Sequence, residues 1–467
     1  MFELKFFESS LKNLEVQERA QGKAMPWWNF MSASLQHNQT TGDFDAIMAS
    51  GIKAHSTGDL ENATKSYFIV LAANPDHVYA NLLIGILLFD KKKYQLASSH
   101  FSRAIKCKPD LAEAFNYRAV AFKELNRVGD AINDYSRAIA LDPSLHEAHF
   151  NLGVLWAEQK RFGDAIRAFR ASLLLRPEDQ DTLYNIAKTL SNMRQYSLAI
   201  PEYTKLLELN PCHELALINR SNAYAKLNDH SNALAGYRRV ISLNPKIPEV
   251  LHLINALSGI ATKKPPLGYV ENLFDNYAAT FERTLVDELG YQIPSLVGSI
   301  IRQDYVVNNT ISVLDLGCGT GLMGEAISDL DALIVGVDLS QKMLKEASTA
   351  KRYQKLFHCD IQKYLSSQVL DFDYFIANDV FIYVGDLEDI FSLVKKRNKR
   401  GGRFIFTVEL NDTDRFILEQ SGRYSHSRSY LQKIFDRLEM QELHYENVRL
   451  RKEFNSFVIG GLFVVKV

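Results

Sequence analysis

The sequence predicts an α plus α/β protein, an all-helical repeat array followed by a doubly wound α/β domain, and two patterns predict it. Pro75, Pro109, Pro143, Pro177, Pro211 and Pro245 recur every 34 residues through the N-terminal half, a period that only a helical repeat explains. From about residue 311 the pattern changes to short apolar runs alternating with amphipathic stretches, and the first run opens into the glycine-rich VLDLGCGTGLMG. At 467 residues the chain is too long for one ordinary core.

Composition narrows the class before any motif is read. With 46% apolar and 23% charged residues the chain reads as soluble and globular. A formal net charge of -1 supplies no electrostatic reason to expect nucleic acid or an anionic membrane as partner. Cys107, Cys212, Cys318 and Cys359 lie far apart with no C-x-x-C spacing, which disfavours a zinc site or a disulfide framework and fits a reducing cytoplasm. The first twenty residues lack the continuous apolar core of a signal peptide, and no run approaches the roughly 20 apolar residues of a membrane span.

The elements follow in order. Residues 1–43, with adjacent Trp27 and Trp28, are expected to cap the first repeat, and residues 44–260 to form six repeats closed by a helix over PEVLHLINALSGI. Three more sets keep the period: Ala63, Ala97, Ala131, Ala165, Ala199 and Ala233; the aromatics Tyr67, Phe101, Tyr135, Phe169, Tyr203 and Tyr237; and the small Gly51, Gly85, Ala119, Gly153, Ala187 and Ser221. The small residue admits a second helix at close range, with the alanine facing it. The aromatic is expected to plug the gap to the next repeat, and the proline stops the second helix. This pattern resembles tetratricopeptide (TPR) repeats. ATKKPPLGYV then breaks the helical period and marks the domain boundary, leaving residues 261–310 as linker and lead-in helices. In residues 311–467, ISVLDLG, ALIVGVDLS, KLFHCD, FDYFIAND and GRFIFTVEL read as strands. GLMGEAISDL, QKMLKEASTA, LEDIFSLVKKRN and SRSYLQKIFDRL read as the intervening helices. The last strands, in LHYENVRLRKE and GLFVVKV, suggest an antiparallel edge.

The glycine loop is the first functional signal. A dinucleotide loop wants glycine at 322, where Leu322 stands, and a phosphate-cradling loop wants a terminal lysine that GTGLMG lacks. Asp315, two residues before Gly317, would repel a pyrophosphate and favour a cationic group. VLDLGCGTG, with Asp315, Gly317, Gly319 and Gly321, resembles the loop of class I S-adenosylmethionine-dependent methyltransferases, which cups the methionine part of the cofactor. The flanks YVENLFDNYAATFERTLVDELGYQIPSLV and SGRYSHSRSY are similar to a bacterial family of predicted methyltransferases that carry TPR repeats. The resemblance implies a Rossmann-like domain binding S-adenosyl-L-methionine. Asp338 at the second strand end would take both ribose hydroxyls and Asp360 at the third the adenine amino group, with Leu339 and Ile361 flanking the ring and Tyr277 and Phe281 as a lid.

Methyl transfer from a sulfonium asks mainly for alignment, desolvation and sometimes a base. The acceptor is expected beyond strand four, near NDVFIYVGD, which is not the [DN]-P-P-[YF] signature of amino methylation of DNA. Asp379 is the candidate base or positioning acid, equally weighted with a structural role in its loop. Tyr424 and His426 lie in a segment expected to fold over the site, and Ser427 to cap the next helix. In the array, Asn151, Asn185 and Asn219 share one repeat position on the expected concave face, where stacked amides hold a protein or peptide backbone or else serve the repeat. The competing reading of the whole chain is a scaffold whose cofactor domain transfers nothing.

Overall fold

The structure is a computed structural model that describes residues 42–467, apart from 279–280, 282–289, 308, 369, 399–400 and 454–455. Trp27 and Trp28 lie outside the described residues. The chain divides into two compact units between Asn210 and Pro211.

The first unit consists of helix pairs, from Gly42–Ser56 with Leu60–Ala73 to Gln180–Asn192 with Tyr196–Leu209. Each second helix stops two residues before its proline, and the residue between is pushed to extended backbone, with φ of -135° at Asn74, -136° at Lys108, -134° at Asp142 and -133° at Arg176. The repeated Ala63, Ala97, Ala131, Ala165 and Ala199 are fully buried. The aromatic sits on the small residue of its own repeat as well as filling the seam: a Cβ at Gly85 would stand 2.4 Å from the Phe101 ring, and one at Gly153 2.6 Å from Phe169. Within pairs the turn passes through left-handed backbone at Gly58, Lys92, Asn126, Lys160 and Arg194, again every 34 residues.

The second unit opens with a sixth pair, Glu214–Lys226 and His230–Leu243, and the capping helix Pro248–Leu257. The division between the units falls one repeat before the boundary expected near residue 260, and within the second unit specific bonds tie the capping helix and the segment after it to the α/β domain. Buried His252 donates through Nε2 to the Gly422 carbonyl at 2.9 Å, and Thr262 shares a 2.6 Å hydrogen bond with the Tyr424 hydroxyl. The backbone N–H groups of Gly385 and Asp386 donate to the Lys263 carbonyl at 3.1 and 3.0 Å, while Lys263 pairs with the Asp386 carboxylate.

The sheet contains β1 (Ile311–Leu316), β2 (Ala332–Asp338), β3 (Lys355–His358), β4 (Tyr374–Ala377), β5 (Arg403–Leu410), β6 (Phe416–Leu418), β7 (Tyr424–His426), β8 (Gln441–Glu453) and β9 (Ser456–Lys466). Strands run parallel in the order β3-β2-β1-β4-β5; β9 continues antiparallel beside β5, and β8 beside β9. The order reverses between β1 and β4, so the crevice beyond their carboxyl ends is the natural ligand position. Both faces are covered, which the near-continuous apolar runs require. Leu314, Leu316, Phe375 and Phe404 pack under the helices Glu388–Arg397 and Arg428–Arg437, whereas Val313, Ile376 and Ile405 pack against Ile293–Asp304. The β6–β7 hairpin was expected only as a segment folding back, because two strands of three residues are too short to show a period. Among the described residues no helix is long and apolar enough to cross a membrane.

Candidate cofactor site

The loop after β1 is built by its glycines. Gly317, Gly319 and Gly321 all adopt left-handed backbone, with φ of 72°, 54° and 100°, a region that penalises any other residue. A Cβ on Gly317 would lie 2.5 Å from Val380, so this glycine lets the loop pack on the segment after β4. At Gly319 the nearest atom to such a Cβ would be the Phe281 ring at 3.8 Å, so backbone faces open space there.

Three acids surround the loop. Asp315 is 2% exposed and lies buried at the strand end. The Tyr353 hydroxyl donates to its Oδ2 at 2.6 Å and in turn accepts the Gly324 N–H at 3.2 Å, tying the loop to the segment before β3. Burial, against this hydrogen bond and with the charge of Asp338 adding to it, pushes the Asp315 carboxyl up to about 7. Asp338, 8% exposed, accepts Gly319 N–H on Oδ2 and Ser340 N–H on Oδ1, each at 2.8 Å. Burial raises this carboxyl too, and the backbone donors hold it back. Two oxygens with one donor each leave lone pairs for two more. Asp360 caps the helix Ile361–Ser367, its Oδ1 accepting Lys363 N–H at 3.0 Å. Leu339 is half-buried, its carbonyl accepting from His358 Nε2 at 2.9 Å, and Ile361 packs against the core beneath the sheet. Tyr277 ends the helix Leu267–Tyr277, and its side chain lies outside the described residues.

Of the candidate catalytic residues, Asp379 lies just after β4, while His426 and Tyr424 are buried away from solvent. Asp379 adopts φ 57°, and both its oxygens accept from Arg451 Nη1, at 2.8 and 3.0 Å. Arg451, 3% exposed, also grips Glu409. Asp379 is therefore an ion-paired acid of a buried cluster and not an unpartnered base. His426 is completely buried, donates through Nε2 to the Gly385 carbonyl at 2.8 Å, and burial lowers its pKa to about 4. A neutral, enclosed imidazole does not exchange protons with an acceptor near pH 7, so the catalytic reading of His426 is withdrawn. Tyr424 is equally buried, its hydroxyl engaged by Thr262 and its pKa raised by burial, and it too is withdrawn. Ser427 caps the helix Arg428–Arg437, its Oγ accepting Tyr430 N–H at 3.1 Å.

Sequence reasoning missed Arg451 and Glu409, because their segments read only as an antiparallel edge and as a strand. It also missed Thr320 and Asn378. Thr320 Oγ1 and Asn378 Oδ1 are buried without a hydrogen-bond partner among the described residues, one in the glycine loop and one just after β4. In the repeats, Asn151 Nδ2 donates to Asn116 Oδ1 at 3.2 Å and Asn185 Nδ2 to the Asp181 carbonyl at 2.9 Å; these two and Asn219 are half-buried.

A reversed parallel sheet whose first strand opens into such a loop is the architecture of class I methyltransferases, and comparison with known proteins agrees. A family model described as "Methyltransferase domain" matches residues 308–446, and two described as "Tetratricopeptide repeat" match 54–112 and 118–181, and 180–212 and 215–247. The chain carries TPR repeats and a class I methyltransferase domain. It is similar to the malonyl-[acyl-carrier protein] O-methyltransferase of Bacillus anthracis, 32% identical over 100 residues, 21% of this chain and 36% of that protein. The ubiquinone biosynthesis O-methyltransferase of Coxiella burnetii is 29% identical over 99 residues, 21% of this chain and 42% of its own. The chain thus spans less than half the length of these curated relatives. Among solved structures, the type IV pilus biogenesis factor PilW is 22% identical with a TM-score of 0.41, over 46% of this chain and 99% of its own. YrrB, a TPR protein with an unusual peptide-binding site, is 16% identical with a TM-score of 0.37, over 40% and 97%.

Proposed function

We propose that the chain transfers a methyl group from S-adenosyl-L-methionine to an acceptor, and that its repeats recruit a protein or peptide partner. The observation that carries the reading is the left-handed glycine loop with Asp315, Asp338 and Asp360 at three successive strand ends. The residues present fit the cofactor. Thr320 Oγ1 and Asn378 Oδ1 are buried polar atoms awaiting partners, Gly319 leaves backbone open, and a carboxyl raised to about 7 is stabilised in its charged form by a nearby cation. When bound, the cofactor supplies a methyl group on a sulfonium already activated for in-line displacement. Asp338 would hold the ribose hydroxyls, Asp360 the adenine amino group, and Leu339 and Ile361 the faces of the ring. The field of Asp315 favours the cationic methionine end. Beyond β4, Arg451 fixes Asp379 and Glu409, which would position an acceptor and exclude loose water. The names of the two relatives favour oxygen as the acceptor atom. Asn151, Asn185 and Asn219 are the proposed partner contacts.

Titration calorimetry of the full chain with S-adenosylmethionine tests the cofactor; no heat of binding sinks the enzyme reading and leaves the scaffold. Radiolabelled cofactor in a lysate then asks whether label enters protein or small molecules.

A further inference from the structure

The helix Leu267–Tyr277 stands outside the sheet, yet two adjacent residues on it reach opposite sides of the crevice. Phe274 meets Tyr383, just after β4, edge to face at 5.1 Å, and Phe281 at 6.1 Å, whose ring approaches Gly319 at the end of β1. Asp275 reaches the end of β2. Its Oδ1 accepts the Ser340 hydroxyl at 2.5 Å and the Lys342 N–H at 3.5 Å, while Lys342 Nζ donates to the Asp275 carbonyl at 3.3 Å. The helix therefore roofs the crevice from β2 to β4 across the glycine loop.

Ser340 is the pivot of this contact. It is fully buried; its N–H donates to Asp338 Oδ1, and its Oγ accepts Met343 N–H as the cap of Gln341–Thr349. Its single hydroxyl proton goes to Asp275. We propose that Asp275 is a positioning residue that latches the roof helix to the turn carrying Asp338, and so sets how fast the cofactor leaves; the inference rests on the cofactor reading above. The roof and the ribose-binding acid share one serine, so releasing either disturbs the other.

The experiment uses the full chain as wild type, Asp275→Ala and Asp275→Asn, measuring release of radiolabelled S-adenosylmethionine in a chase, affinity by calorimetry, and the melting temperature of each. Asp275→Ala is expected to release cofactor about tenfold faster, as the loss of one charge-assisted hydrogen bond implies, with a small fall in the melt of the cofactor-free protein that Asp275→Asn restores. Asp275→Asn is expected to restore most of the lifetime, because its amide oxygen accepts the same proton. A wild type that binds while Asp275→Ala releases at the same rate overturns this inference alone. So does faster release accompanied by a lower melt that Asn fails to rescue, which marks a merely structural contact. A wild type that binds no cofactor overturns the cofactor reading and the latch with it.

Discussion

Asp315 supplies the sharpest test of the site, because its carboxyl is held at about 7 by burial whereas a solvated aspartate titrates near 3.8. The folded chain binds this proton more tightly than the unfolded chain. The group therefore costs no stability below about pH 4 and removes stability progressively as pH rises to about 7. Three pH units at about 1.4 kcal/mol each set the penalty above pH 7 on the order of 4 kcal/mol. Asp315→Asn removes that titration while its amide oxygen still accepts from Tyr353, and its new NH₂ adds a fixed cost of about 1 to 3 kcal/mol if unpartnered. The fixed cost cancels in the pH dependence. Relative to wild type, the variant should gain on the order of 4 kcal/mol between pH 4 and pH 8.

Calorimetric melts read this directly. No tryptophan follows Asn210 and Trp156 lies in the first unit, so tryptophan fluorescence at Trp156 follows that unit, and the α/β transition is the one that S-adenosylmethionine shifts on the proposed reading. Cofactor binding should show the opposite face of the same effect. A cation that draws the proton off Asp315 makes wild-type affinity fall as pH drops below about 7, with proton release on binding, and Asp315→Asn should bind weakly and without that dependence. A wild-type α/β transition that holds steady from pH 5 to 8, in parallel with the variant, refutes the reasoning.

Three further outcomes are expected. Lys160→Gly, at φ 59° between two repeat helices, should raise array stability by about 1 kcal/mol in a fluorescence melt, since glycine adopts left-handed backbone without a Cβ penalty; a neutral or destabilising result counts against the strain. A fragment of residues 211–467 should melt cooperatively and above one of residues 261–467, which lacks the His252 bond to Gly422; equal melts remove the capping helix from the unit. Replacing Asn151, Asn185 and Asn219 together with Ala should reduce capture of lysate proteins at unchanged cofactor affinity and melt, each amide contributing only about 0.5 to 1.5 kcal/mol; undiminished capture refutes the partner contacts.

The repeats were legible because each of their devices recurs in sequence: the prolines, the buried alanines and the buried aromatics are local and repeated six times. The parallel strands were legible for a related reason, since burial on both faces makes them apolar throughout. What stayed hidden depends on contacts between distant segments. Asp379 and Arg451 are 72 residues apart in the chain, and nothing in either segment announces the other. His426 reads as a neutral-range base in GRYSHS, and only its burial against Phe416 and Tyr430, with the Gly385 carbonyl as partner, lowers its pKa. The bonds that tie ATKKPPLGYV to the domain were hidden in the same way: the segment breaks the helical period, and nothing in it announces that the Lys263 carbonyl meets Gly385 and Asp386.

The charges of the crevice separate its two sides. At the β1 and β2 ends, Asp315 and Asp338 form no ion pair among the described residues, and burial makes both expensive to ionise. At the β4 and β5 ends, Asp379 and Glu409 face the same low dielectric but share Arg451, with Arg423 4.0 Å from Glu409. A ligand cation therefore gains most on the first side, where it relieves uncompensated carboxyls, and little on the second, where the acids already have their counter-charge. On the proposed reading, the sulfonium and ammonium of the cofactor go to the β1–β2 side, and the acceptor meets a wall that is polar yet close to neutral. Among the described residues a cationic acceptor would find no unpaired acid there, which favours a neutral or anionic group as the one that receives the methyl.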